Sequence, residues 1–201
     1  MTALESALRQ IHRDLTAARV SCALVGGLAV SARTEPRFTR DADFAVAVAS
    51  DAEAEALIHT LRLAGYAIEA AVEQDAVGRL ATVRLTRGGP LHSPVIDLLF
   101  ASSGIEGEVV AEAEPLELLP NLTIGVARTG HLIALKVLSR DDRERPQDLV
   151  DLRALLRVAS ADDLATARAS VSLITARGFH RGRALLSQLD DVMRMVSRPQ
   201  Q

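Results

Sequence analysis

The chain has 201 residues, 48% of them hydrophobic and 24% charged, which is long enough to bury a core without disulfides and apolar enough to exclude disordered, collagen-like and low-complexity classes. A net charge of −3 excludes a bulk basic field for nucleic acid, so any such binding must rest on a local patch. The lone cysteine, Cys22, excludes an internal disulfide, and the longest apolar-plus-glycine run, Cys22 to Val30, falls far short of the roughly 20 residues that span a bilayer; a soluble, cytoplasmic chain with no membrane partner is expected.

Leu4, Leu8, Ile11, Leu15 and Ala18 recur at helical spacing and predict an amphipathic opening helix over 3–18. Val20 to Val25 predicts a short buried strand, punctuated by Gly26-Gly27, and a brief helix to Arg33 starts on that glycine pair. After a turn-like stretch holding Pro36, Asp41-Ala-Asp43-Phe-Ala-Val-Ala-Val48 predicts a strand with its acids at the front, and Asp51 is placed to cap a helix over 52–64 that Gly65 stops. Tyr66–Val72, Leu80–Thr86 and Pro94–Phe100 predict further strands, with a Gly88-Gly89-Pro90 turn before the last of them. Leu122–Val126 follows loops around Pro115 and Pro120; from Thr129 onward the pattern is helical, over 131–140, 147–158, 162–176 and 183–196. The expected fold is α+β (α/β), a mixed sheet with flanking helices over residues 1–128 and a helical C-terminal part over 129–201.

The carboxylates stand out chemically. Asp41 and Asp43, two apart on a strand, project from one face, an arrangement suited either to water or to a divalent cation such as Mg²⁺. Asp97 lies inside Val95-Ile-Asp-Leu-Leu-Phe100, where a lone ionised carboxylate must find a partner, either one of the arginines or a metal ion shared with Asp41 and Asp43. Gly26-Gly27 forms a strand-to-helix junction whose N–H groups can hold phosphate. Lys136 is the single lysine among 23 basic residues, and a compact ammonium suits phosphate where a planar guanidinium does not replace it. Lys136 and Arg140 stand at i and i+4, so two cations are expected on one helical face; Asp148 and Asp151 are expected to share a face likewise.

Four motifs in order, Leu24-Val-Gly26-Gly27, Arg37-Phe-Thr39-Arg40-Asp41-Ala-Asp43, Val95-Ile-Asp97-Leu, and Lys136 to Arg140 with Asp148-Leu-Val-Asp151-Leu, give residues 20–156 a resemblance to the nucleotidyltransferase superfamily that includes DNA polymerase β. Within it the chain resembles the AbiEii-type toxin branch, departing from it at Gln147, where Arg is usual, and at Gly27, where Ser is an alternative.

The resemblance implies a catalytic core over 1–128 that transfers NMP from an NTP to an acceptor. Asp41, Asp43 and Asp97 would hold Mg²⁺ or Mn²⁺ and form the catalytic set with Lys136; Gly26, Gly27, Thr39, Arg40, Lys136, Arg140 and Asp148 would bind the nucleotide. It further implies an RNA acceptor such as tRNA, or a protein, and a cognate antitoxin. The alternatives are a nucleotide- or protein-binding module without catalysis and an enzyme acting on an aminoglycoside-like small molecule. No P-loop, dinucleotide-binding, hydrolase-elbow or His-Glu-x-x-His motif is present. Histidines 12, 59, 92, 131 and 180 are scattered without metal-ligand spacing and are expected on surfaces or helix ends. The Arg177–Arg183 cluster is the best local basic patch, expected either on a solvated loop or against an RNA backbone.

Overall fold

A computed structural model describes residues 2–74, 77–88 and 94–197; Gly89, Pro90 and His92 lie outside the described residues. In chain order the elements are α1 (Ala3–Ala17), β1 (Cys22–Val25), α2 (Gly26–Arg33), β2 (Asp41–Val46), α3 (Asp51–Leu63), β3 (Tyr66–Gln74), β4 (Arg79–Arg87), β5 (Val95–Leu99), α4 (Glu106–Ala111), β6 (Glu114–Leu119), β7 (Leu122–Val126), α5 (Thr129–Ser139), α6 (Pro146–Val158), α7 (Ala161–Ala176) and α8 (Leu185–Ser197).

The helices begin where side chains satisfy the first backbone donors. Thr2 and Glu5 form a reciprocal capping box on α1, whose Leu8, Ile11 and Leu15 face the core. Ser160 and Asp163 do the same for α7. At α3 the cap is Ser50, whose hydroxyl accepts from the Glu53 N–H. Asp51, expected to cap, is instead the first helical residue, where its charge complements the helix dipole.

The strands form one mixed seven-stranded sheet in the order β3-β4-β5-β2-β1-β7-β6. β5 and β2 lie side by side and parallel at its centre, β1 runs antiparallel to β2, and β4 antiparallel to β5. Two elements escaped the sequence pattern. Helix α4 has only six residues, too few to show a period. β6 contains Pro115 and reads as loop, but it is the terminal strand of the sheet, where a missing donor is tolerated.

One continuous apolar core joins α1, the sheet and the later helices; Leu24, Phe44, Ile96 and Leu98 belong to it together with Leu132, Ile133, Leu152 and Leu155. Helix α5 is buried along most of its length. His131, on its first turn, is 2% exposed rather than on the surface, and burial lowers its pKa. Among the described residues no helix is long and apolar enough to cross a membrane.

Candidate functional site

The centre of the sheet places charge in a row. Register sets Val25 opposite Asp43, Asp43 opposite Asp97, Asp97 opposite Arg84 and Arg84 opposite Ala70, so one line crosses β1, β2, β5, β4 and β3. Directly opposed residues share a face. Both faces of these strands are covered, since Ala23, Val25 and Ala45 on the acids' face are buried as well as Ala42, Phe44, Ile96 and Leu98 at the alternate positions, and the acids stand where their face opens into a cleft. Two residues along β2, Asp41 adds a third acid to this face. All three acids line a cleft of about 950 Å³, with Gly26, Gly27, Thr39, Lys136 and Asp148 also on its wall.

The glycine pair sits where β1 hands over to α2. Gly26 has φ +64°, and a Cβ there would stand 1.9 Å from Asp43 Oδ2. Glycine is therefore needed twice at that position, for the left-handed backbone and for the closeness of the carboxylate. The Gly27 N–H donates to Asp43, which lowers that carboxyl's pKa, but burial and the charges of Asp97 and Asp41 outweigh it and push Asp43 up to about 6. A Cβ on Gly27 would meet Arg37 Nη2 at 2.7 Å and Thr39 Oγ1 at 3.1 Å. The absence of a side chain at 27 thus leaves room for the Arg37 guanidinium.

Asp97 takes one of the two partners expected of it, an arginine. It lies in the row of acids, and Arg84 holds it by a two-pronged contact, Nε to Oδ1 at 2.9 Å and Nη2 to Oδ2 at 2.7 Å. The Asp97 side chain is 11% exposed, the Arg84 side chain 48%. Among the described residues no three His, Cys, Asp or Glu side chains are drawn round one point closely enough for a metal ion. Arg84 occupies both oxygens of Asp97, and the backbone register sets Asp43 and Asp97 side by side.

The helical wall carries a second network. Lys136 Nζ donates to Asp148 Oδ1 at 2.7 Å and pairs with Asp151 Oδ2 at 2.8 Å. Arg37 reaches Asp151 from the loop before β2, through Nε at 2.6 Å and Nη2 at 2.7 Å, and Gln147 adds a third donor. Burial alone would raise the Asp151 carboxyl, but donors from Arg37, Lys136 and Gln147 hold it below the usual carboxylate range. Asp148 and Asp151 do share a face of α6, and Lys136 is what that face meets.

Two expected residues stand elsewhere. Arg140 is not beside Lys136 on a helical face, because α5 ends at Ser139 and Arg140 has left helical geometry with ψ 125°; its guanidinium forks onto Asp142 at 2.6 and 2.5 Å. Arg40 lies 5.6 Å over the Phe38 ring and is not part of the cleft wall. Four arginines line the cleft: Arg37, Arg84 and Arg145, which had no expected site role, and Arg181 of the basic cluster. The alternation of β4 sets Arg84 on the face opposite Ala81, Val83 and Leu85 and was legible; its partner across the sheet was not. Within the basic cluster, Arg177 pairs with Glu108, Arg183 donates to the carbonyls of Val137 and Leu138, and Arg181 lines the cleft.

A mixed sheet carrying a Gly-Gly turn beside an Asp-x-Asp strand, with a third acid on the neighbouring parallel strand, defines a nucleotidyltransferase fold. Two solved structures share that fold. An antigenic nucleotidyltransferase-like protein from Paracoccidioides brasiliensis is 16% identical, covering 94% of this chain and 92% of its own, with a TM-score of 0.54. The lincosamide antibiotic adenylyltransferase LnuA, solved with lincomycin bound, is also 16% identical, covering 77% of this chain and 98% of its own, with a TM-score of 0.50. No curated protein matches the sequence. The family described as nucleotidyl transferase AbiEii toxin, type IV TA system, matches residues 9–200. The chain belongs to that family and is a nucleotidyltransferase.

Proposed function

We propose that the protein is a divalent-metal-dependent enzyme that transfers NMP from an NTP to an RNA, such as tRNA, as the toxin of a cytoplasmic toxin–antitoxin pair. The observation that carries the reading is the cross-strand pairing of Asp43 with Asp97 beside the Gly26-Gly27 turn. The donor set fits a hard divalent cation: three carboxylate side chains on one face, one of them pushed up by burial and by the negative charge of the other two. Asp41, Asp43 and Asp97 would hold Mg²⁺ or Mn²⁺, which would polarise the transferred phosphoryl group.

The chain's own groups divide the remaining work between the sheet unit, 1–128, and the helical part, 129–201. The Gly26 N–H and the Thr39 hydroxyl receive phosphate oxygens at a helix start, while the Gly27 N–H holds Asp43. Lys136 has three donors, two of them committed to Asp148 and Asp151, and the third is left for phosphate. The two carboxylates fix where that donor stands. Asp97 receives the acceptor hydroxyl's proton; the acceptor oxygen bonds the α-phosphorus as the bond to pyrophosphate breaks.

Arg145 and Arg181 favour an anionic acceptor. Both line the cleft, and among the described residues neither guanidinium has a carboxylate within ion-pair distance. Desolvation, then the positive charges of Arg145 and Arg183, lower Arg181 below the usual arginine value. Two uncompensated cations suit a phosphodiester backbone and repel a polycationic aminoglycoside. Incubation with each α-labelled NTP, Mg²⁺ and total RNA, total protein or aminoglycosides tests the reading. Label in RNA is expected; label in protein or in the antibiotic alone overturns the RNA acceptor, and no transfer with any NTP overturns the enzyme assignment.

A further inference from the structure

The bond between Arg84 and Asp97 asks for an account, because it spends the only cation of the acid row on one of the residues assigned to the metal. Both oxygens of Asp97 are engaged at 2.9 and 2.7 Å. The guanidinium also feels the negative charges of Asp41 and Asp43. It therefore stands as counter-ion to the whole row, placed by cross-strand register rather than by chance approach of a long side chain.

We propose that Arg84 is a resident counter-ion that a divalent cation must displace: the unloaded site is latched by the guanidinium on Asp97, and metal loading exchanges one cation for another. The inference rests on the metal reading above. Three features of the row fit a side chain that moves. Arg84 is the half-exposed member of its pair, at 48% against 11% for Asp97, so letting go returns a charge to water without burying one. Its other cross-strand neighbour is Ala70, which lines the same cleft and presents only a methyl group to a guanidinium swinging away from β5. Asp97 itself is fixed in a central strand whose flanking Ile96 and Leu98 are buried, so the acid stays and the arginine leaves.

The alternative role for such a contact is to orient Asp97 toward the metal, and the two roles predict opposite signs. A latch competes with the metal, both for the carboxylate oxygens and through like-charge repulsion; an orienting residue helps it. Arg84→Gln should therefore bind Mn²⁺ more tightly than wild type, by about tenfold at low salt, and Arg84→Lys, which keeps the charge without the fork, should fall between them.

The experiment is Mn²⁺ titration of the full chain without NTP, followed by electron paramagnetic resonance of free Mn²⁺, for wild type, Arg84→Gln, Arg84→Lys and Asp43→Asn. Circular dichroism establishes that each variant is folded, and Arg84→Lys carries the comparison if Arg84→Gln is not. Tighter binding on removing or weakening the fork, with the site abolished by Asp43→Asn, is the result expected. Equal or weaker binding in both Arg84 variants, with wild-type binding still dependent on Asp43, overturns the latch and leaves the metal site standing. Wild-type Mn²⁺ binding that Asp43→Asn does not alter, or its complete absence, overturns the metal reading and the latch with it.

Discussion

Two acid-rich corners border one cleft, and their charge states are opposite. On the sheet, Asp41, Asp43 and Asp97 share one guanidinium, half in water, and Asp43 is pushed up to about 6 by burial and by its neighbours. On the helices, Asp148 and Asp151 meet Lys136 and Arg37, two acids against two cations, and Asp151 is held below the usual range. A network whose charges and hydrogen bonds close on themselves holds a fold together. A row whose negative charge exceeds its partners is strained as it stands, and such imbalance marks a candidate site. Asp151 belongs to the first class and Asp43 to the second, although both are aspartates in the same cleft region.

The comparison breaks most visibly at Asp43. Asp43→Asn should lower NMP transfer at least a thousandfold, about 4 kcal/mol of transition-state stabilisation, while the thermal midpoint measured in EDTA stays level or rises because a repulsion is removed. Transfer at the wild-type rate would take Asp43 out of the chemistry. Asp151→Asn should do the reverse, with stability lost first. Removing the charge leaves Arg37 and Lys136 short of a partner that is 1% exposed, and urea unfolding should show a loss of about 3 kcal/mol, at the lower end for breaking a buried pair. A loss well under 1 kcal/mol would mean that the helical network does not hold the loop before β2 against α6.

The smallest effect sharpens the contrast through pH. Asp43 is raised from 3.8 to about 6 in the folded chain, so between those values the folded state keeps a proton that the unfolded chain has lost. Stability without metal therefore falls as pH rises from about 4 to about 6 and is level above that, by about 2 to 3 kcal/mol. Asp151, shifted the other way, contributes stability at neutral pH that is lost as pH falls through its lowered value. The difference in unfolding free energy between wild type and Asp43→Asn, measured in EDTA across that range, isolates the first of these; a difference independent of pH would show that Asp43 is not the strained member of the row.

Much of the chain's architecture is legible locally. The opening helix, the strand before Gly26-Gly27, the Asp41 strand, the Leu122–Val126 strand and the four later helices all follow from apolar spacing and caps, with ends displaced by a residue or two where a cap decides, as Ser50 does for α3. The same locality explains the misses. Arg140 looked like a neighbour of Lys136 only on the assumption that the helix continued to it, and α5 stops one residue earlier. Arg40 stands one residue from Asp41, but it lies in the loop before β2 and its guanidinium turns onto Phe38.

By itself the sequence determined which residue types could do the chemistry and which face of each element would carry them, since a strand's period of two and a helix's period of 3.6 act over a few residues. That is why Asp41 and Asp43 share a face, why Asp97 needs a partner, and why Gly26 permits the turn. Only the tertiary structure decided who that partner is. Arg37 finds Asp151 across 114 residues, and Asp43 finds Asp97 because β2 and β5 pair in parallel across a long crossover; such register depends on how the whole sheet buries its apolar face, and no window of neighbouring residues contains it.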